Sequence, residues 1–236
     1  MLFGWLGEVI NESQAGLYDA QVDRSFRMGM SWFIFSEVCF FAAFFGALFF
    51  TRFWTIPLIS GEMHPITHFV LWPDFKNIWP LITNPDNAKF AGADEGMNPW
   101  GLAAINTVLL LTSGATITWA HHALKHNKRK QLVIGMFLTV LLGTIFLCCQ
   151  AYEYHEAYND MGLTLNAGIY GSTFFLLTGF HGLHVTLGTI MLIVITIRCM
   201  RGHFTPEKHF GFEAVAWYWH FVDVVWLFLF IFVYWI

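Results

Sequence analysis

Apolar positions in this chain gather into five long stretches, around Met28 to Phe53, Trp100 to Ala120, Leu132 to Tyr152, Gly168 to Ile197 and Ala214 to Ile236. Each runs for about 20 residues or more, which at about 1.5 Å of rise per residue crosses a hydrocarbon core of roughly 30 Å. Polar and apolar residues do not alternate within them, so strands fit poorly, and helices are the way for such segments to satisfy their backbone in lipid. The pattern predicts an all-α, polytopic membrane helix bundle with five complete transmembrane helices.

Composition strengthens that reading. Of 236 residues, 56% are hydrophobic and 12% charged, and phenylalanine alone supplies 26, too apolar a mixture for a water-soluble domain of this length. The formal charge of -4 is less informative, because it averages two differently charged surfaces.

Arg24 and Arg27 precede the first long stretch, Lys125, Lys128, Arg129 and Lys130 lie between the second and third, and Arg198, Arg201 and Lys208 lie between the fourth and fifth. Nine of the 12 basic residues thus fall on one side, against Arg52, Lys76 and Lys89 on the other. The positive-inside rule makes the first side cytoplasmic or matrix-facing and places the carboxyl terminus outside. The outer loops are acidic, with Glu62, Asp74, Asp86, Asp94 and Glu95 in one and Glu156 and Asp160 in the other. No loop carries a basic patch rich enough to bind nucleic acid.

Two segments lie outside the stretches. Leu2, Phe3, Trp5, Leu6, Val9 and Ile10 form a short apolar patch without the basic lead of a secretion signal, followed by a polar connection from Asn11 to Arg27. The segment from Trp54 to Pro99 contains Pro57, Pro65, Pro73, Pro80 and Pro85, which exclude one continuous helix, with Trp72, Phe75, Ile78, Trp79 and Phe90 as apolar anchors. The expected division is residues 1–27, a partial helix or interfacial segment and its connection, then a five-helix membrane domain over 28–236 with a long outer loop at 54–99. That loop is expected to form a cap over the outer surface or a neighbouring protein, or simply to seat its aromatics at the lipid headgroups.

Polar side chains inside apolar stretches carry the candidate chemistry. Glu37 lies among Phe33, Ile34, Phe35, Val38 and Phe40. A charged carboxylate there is expensive, so it is either neutral or paired, and it reads equally as a proton-exchanging group or as a structural hydrogen-bonding acid. His220 and Asp223 are three apart and share a helix face. His181, His184 and Gly188 suit a common interhelical surface, where polar packing is favoured over haem or metal ligation because two histidines do not complete a site. His121 and His122 cannot both face one ligand cluster on a regular helix, and the remaining candidate ligands are scattered over both membrane sides. No metal site is expected.

Several segments are more specific than these physical arguments. Ser36-Glu37-Val38, Thr118-Trp119-Ala120-His121-His122, Gln150-Ala151-Tyr152-Glu153-Tyr154, Thr178-Gly179-Phe180-His181-Gly182-Leu183-His184-Val185 and the run from Gly211 to Trp226 closely resemble the cytochrome c oxidase subunit III family, in consistent order from about Met28 to the carboxyl end. The resemblance implies an accessory, non-redox subunit of a proton-pumping oxidase, with haem and copper held by the partner subunits I and II and no catalytic residue or cofactor of its own. It implies support for proton uptake, stability of the catalytic core, lipid binding and oxygen access.

Residue by residue, the resemblance assigns Glu37, His220 and Asp223 to proton-uptake support, and His121, His122, His181, His184, Trp217 and Trp226 to interhelical packing or lipid contact. Bound phospholipids and subunits I and II are the expected partners. The expected location is a bacterial inner membrane, or the mitochondrial inner membrane if the protein is organellar. The usual family member has seven membrane helices, and here Phe3-Gly4-Trp5 and Glu8 to Glu12 resemble the inner end of the second. The chain is therefore expected to show the seven-helix fold lacking its first helix and most of its second. A purely structural assembly subunit is the alternative, and a free-standing metal-dependent membrane oxidoreductase is a weaker one.

Overall fold

The computed structural model describes the backbone of residues 2–236 and the side chains from Gly4 onward, so the Leu2 and Phe3 members of the amino-terminal patch lie outside the described side chains. Continuous helices are α1 (Leu2–Gln14), α2 (Ala20–Ile59), α3 (Pro65–Leu71), α4 (Pro99–Lys125), α5 (Arg129–Asn159), α6 (Ile169–Arg201) and α7 (Phe210–Trp235). Five of them, α2 and α4 to α7, are long and apolar enough to cross a membrane.

That count corrects one expectation. The chain is not a seven-helix fold lacking its first helix and most of its second: seven helices are present among the described residues, five long and two short. The amino-terminal residues form a closed 13-residue helix of their own. Its end is finished by the Ala15 N–H on the Asn11 carbonyl and by Gly16 at a φ of 74°, a left-handed turn that stops a helix. The Tyr18 hydroxyl then donates to Glu12 at 2.8 Å and holds the turn against the helix.

Helix α2 begins well before the apolar run, because Asp19 caps it by accepting from the Val22 N–H at 2.8 Å. It continues past Phe53 through a widened π-type turn at Thr51–Thr55. Pro57 explains the widening, since it has no N–H to return to the preceding turn. A second irregular turn, Pro99–Ala103, opens α4, where Gly101 departs from helical dihedrals.

Successive long helices pack side by side, α4 on α5, α5 on α6, α6 on α7 and α7 back on α4, with α2 lying against α6 and α7. Helix α7 is the most buried span and α2 the least. Small residues permit the close approaches: Gly143 of α5 and Gly188 of α6 face the two sides of the Trp219 ring, and Gly135 faces Ala120. Hydroxyls and indoles tie the interfaces, through Trp219 Nε1 to Ser113 at 2.8 Å, Trp226 Nε1 to Thr107 at 2.9 Å and Thr116 to Thr139 at 2.7 Å.

The alternation of directions gathers the basic residues that flank the spans at one end of the bundle. Arg27 of α2 meets Glu213 of α7 there, and Arg129 of α5 donates to the Met200 carbonyl of α6 at 2.7 Å. Helix α1 reaches the same end, where the Gln14 amide donates to His203 Nδ1 at 2.8 Å. Partial burial, reinforced by Arg198 and Arg201, holds the His203 pKa below its ordinary value. A depressed imidazole pKa favours the neutral form in the fold, so this contact contributes least once the pH falls below about 6.5, where the unfolded imidazole protonates. Amide protection in α1, taken relative to the intrinsic exchange rate at each pH, should fall as the pH drops below about 6.5, whereas a His203→Gln variant should lose that dependence.

At the opposite end, residues 60–98 fold back on the helix ends. Asn84 donates to the carbonyls of Phe90 and Ala167, the Asp94 N–H to the Met161 carbonyl, and the Met97 N–H to the Tyr170 hydroxyl. Phe75 and Leu81 are buried beneath this loop, while Ile78 and Phe90 remain exposed. The guanidinium of Arg52 lies 5.1 Å from the Trp79 ring, joining α2 to the loop by a cation–π contact.

Candidate functional site

Glu37 is paired. Its Oε2 lies 2.8 Å from Nε2 of His184 on α6, and 20% of its side chain and 11% of the histidine remain exposed, enough to reach the edge of the bundle. The other ring nitrogen, Nδ1, lies 2.6 Å from the Phe180 carbonyl and donates its proton there. The nitrogen facing Glu37 is therefore a lone pair unless a second proton is present. One proton must sit between the two groups, giving either a neutral acid bonded to neutral imidazole or a carboxylate bonded to imidazolium. The arrangement can hold or release a proton without breaking any backbone contact.

A second acid–imidazole pair lies on another face of α7. His220 Nδ1 is 3.6 Å from Asp223 Oδ2, and His220 Nε2 is 3.2 Å from the Thr118 hydroxyl. Thr118 already donates to the Gly114 carbonyl at 2.8 Å, so it accepts from His220 Nε2 and leaves Nδ1 as a lone pair facing the carboxyl group. At 3.6 Å the two groups stand beyond hydrogen-bond distance, so they are close neighbours on one helix face rather than partners sharing a proton. Asp223 is 8% exposed, with its Oδ1 unpartnered, and Gly114 is the reason it fits, since a Cβ there would stand 2.4 Å from Oδ2. A cavity of about 700 Å³ opens onto this pair between α4 and α7, lined by Leu111, Gly114, Thr118, His122, His220 and Asp223.

The two pairs do not form one site. Phe41 and His184, neighbours of Glu37, pack on Tyr218 and Phe221 of α7, whereas His220 and Asp223 face α4. The other sequence candidates divide in the same way. His181 is fully buried, donates from Nε2 to the Val222 carbonyl at 3.2 Å and lies against Phe146 and Trp226, so it faces α5 and α7 while His184 faces α2. Gly188 turns to the Trp219 ring. Trp226 is fully buried, while Trp217 is half-buried near Phe210. His122 lines the α4–α7 cavity, and its ring lies 4.1 Å from that of His126. His121 turns instead toward His209 and Glu213.

Several polar groups that the sequence named only as part of a motif or as flanking charge have partners that it did not indicate. Glu153 of α5, 1% exposed, accepts from the Tyr234 hydroxyl at 3.1 Å, and Gln150 donates to the Thr178 carbonyl at 2.9 Å. Arg27 joins Asp23 at 2.7 Å and Glu213. His209 and Glu213 are four apart, a spacing that marks one helix face, but their third member lies on α4 and leaves no local signal. Together with His121 they are the one group of three metal-capable side chains found among the described residues, and no clear redox cofactor site is evident there.

A polytopic helical membrane protein with two acid–imidazole pairs set among packed aromatics is the class that fold and site define. The model of the family described as cytochrome c oxidase subunit III matches residues 86–236. Cytochrome c oxidase subunit 3 of Hippopotamus amphibius is 44% identical over 235 residues, covering 99% of this chain and 78% of the relative. The proteins of the same description from Equus caballus and Chondrus crispus are each 43% identical, over 99% and 100% of this chain and 78% and 76% of the relative. The chain belongs to the cytochrome c oxidase subunit III family, and so to the non-catalytic accessory subunits of that enzyme.

Proposed function

We propose that this chain supports proton uptake by the oxidase through protonatable pairs at the edge of its bundle, with Glu37 and His184 as the principal pair and His220 with Asp223 as the second. The observation that carries the reading is the Glu37–His184 contact of 2.8 Å, in which a backbone carbonyl fixes the tautomer so that one mobile proton is shared. Partly buried acids answer strongly to protonation and solvation, as a group exchanging protons beside an uptake path must. In this reading the end bearing Arg27, Lys125 and Arg201 faces the cytoplasm or matrix and the carboxyl terminus lies on the opposite face. The membrane is the bacterial or mitochondrial inner membrane.

Subunits I and II, which carry haem and copper, are the proposed partners, and phospholipids the proposed ligands. The surface that suits lipid or partner helices is the exposed apolar side of α2, with Trp32, Phe33, Phe35, Phe49, Phe50 and Phe53. Lipid held there seals packing defects and leaves a path for oxygen. His121, His122, His181, His184, Trp217 and Trp226 hold the helices together or meet lipid.

In fully assembled oxidase, Glu37→Gln should slow proton uptake by about a hundredfold, the lower end of the range expected of a positioned proton-transfer group. Time-resolved uptake with a pH-sensitive dye measures it. Unchanged kinetics at normal haem and copper content would reject the proton role and leave assembly as this subunit's function.

A further inference from the structure

We propose that His121, His209 and Glu213 bind a divalent cation of the zinc type, clamping α4 to α7 at the basic end of the bundle. Nε2 of His121 and Nε2 of His209 each stand 3.5 Å from Oε1 of Glu213, and the three atoms lie within 4.8 Å of one another. Ligands bound to one tetrahedral ion at about 2.0–2.2 Å stand roughly 3.4 Å apart, so a small inward shift of the two rings completes the geometry.

The tautomer of His209 is what calls for a cation. Its Nδ1 donates to the Thr205 carbonyl at 3.1 Å, leaving Nε2 as a lone pair aimed at a carboxylate oxygen. The side chain is 8% exposed, and Nε2 is buried without a hydrogen-bond partner. His121 Nε2 is likewise buried and unpartnered. Two imidazole nitrogens, one of them a lone pair, therefore converge on one carboxylate oxygen without making a hydrogen bond to it. A single proton satisfies one of those nitrogens and leaves the other unpaired, whereas a metal ion binds both nitrogens and the oxygen.

The surroundings orient the ligands. Arg27 of α2 holds Oε2 of Glu213 and so turns Oε1 toward the imidazoles, the part that outer hydrogen bonds play around metal ligands. Lys125, one turn beyond His121 on α4, and His220 on α7 add nearby positive or protonatable groups, so the ion is expected to be exchangeable rather than permanently locked. Two imidazoles and one carboxylate suit zinc better than magnesium or calcium, which prefer all-oxygen sets, and three protein ligands leave one position for water. The inference is independent of the proton role proposed for Glu37.

The test uses the assembled oxidase, stripped with a chelator and then dialysed to equilibrium against a fixed low concentration of free Zn2+. The unaltered complex should retain about one zinc equivalent more than complexes carrying His209→Gln or His121→Gln, at equal haem and copper content. Glu37→Gln should retain the extra equivalent. Equal zinc in the unaltered complex and both histidine variants overturns the proposal. Should those variants not assemble, crystals of the unaltered oxidase equilibrated with Zn2+ decide the matter: an anomalous peak at the zinc edge between the three side chains sustains the site, and its absence there overturns it.

Discussion

Trp219→Ala is expected to cost about 3–5 kcal/mol, the range for removing a fully buried large aromatic side chain. In lipid no hydrophobic gain draws one helix to another, so close packing and buried hydrogen bonds carry most of the association. Trp219 contributes both. Its ring is fully buried, with Gly143 on one side and Gly188 on the other, and its Nε1 donates to Ser113 across the interface with α4. Truncation opens a cavity at the meeting of α4, α5, α6 and α7 and leaves the Ser113 hydroxyl without that donor. Unfolding in mixed detergent, followed by circular dichroism, measures the loss.

Companion variants identify the cause. Trp219→Phe keeps much of the volume and loses the donor, so it should fall between the parent and the alanine variant. Gly188→Ala approaches the same contact from the other side, because its Cβ would stand 2.9 Å from the indole Cε3. Overpacking of this kind costs about 1–3 kcal/mol. A Gly188→Ala protein as stable as the parent would show that the ring has room to move.

The five spans were legible because they need nothing beyond the chain itself: length, apolarity and flanking charge decide them, and the helices of the structure fall on the same stretches. Local signals at their ends were weaker guides. The Asp19 cap moves the start of α2 to Ala20, a step that an apolar window passes over because the first turns of that helix are polar. The apolar patch at the amino terminus suits either an interfacial helix or the end of a span, and the resemblance of Phe3-Gly4-Trp5 and Glu8 to Glu12 favours the second; the segment closes as a short helix because its glycine and Tyr18 contacts lie just beyond the patch.

The candidate site was legible only in part, and for a comparable reason. That Glu37 needs either a proton or a partner follows from placing an acid in an apolar helix; that the partner is His184 follows from how α2 lies on α6, which no local spacing encodes. His220 and Asp223 were legible as a pair because three residues bring them to one face. The role of Gly114 as the space for Asp223 was not, since that glycine belongs to another helix. His209, Glu213 and His121 illustrate both halves of the rule, a local i,i+4 pair completed by a residue from a distant helix.

Gly168→Val is expected to detach the 60–98 loop from the helix ends while leaving the five spans in place. Gly168 has φ 93° and ψ −162°, a backbone region that residues with a Cβ seldom adopt, so strain alone costs on the order of 1–3 kcal/mol. A Cβ there would also stand 2.2 Å from Oδ1 and 2.6 Å from Nδ2 of Asn84. Asn84 cannot yield easily, because the same amide donates to the Phe90 carbonyl within the loop and to the Ala167 carbonyl at the entry to α6. Strain and clash act together at the point where the loop is fastened. Amide exchange should rise sharply around 84–94, with little change in the middle of α5, α6 and α7. Uniform exchange increases through the spans would mean instead that the loop holds the bundle together rather than resting on it.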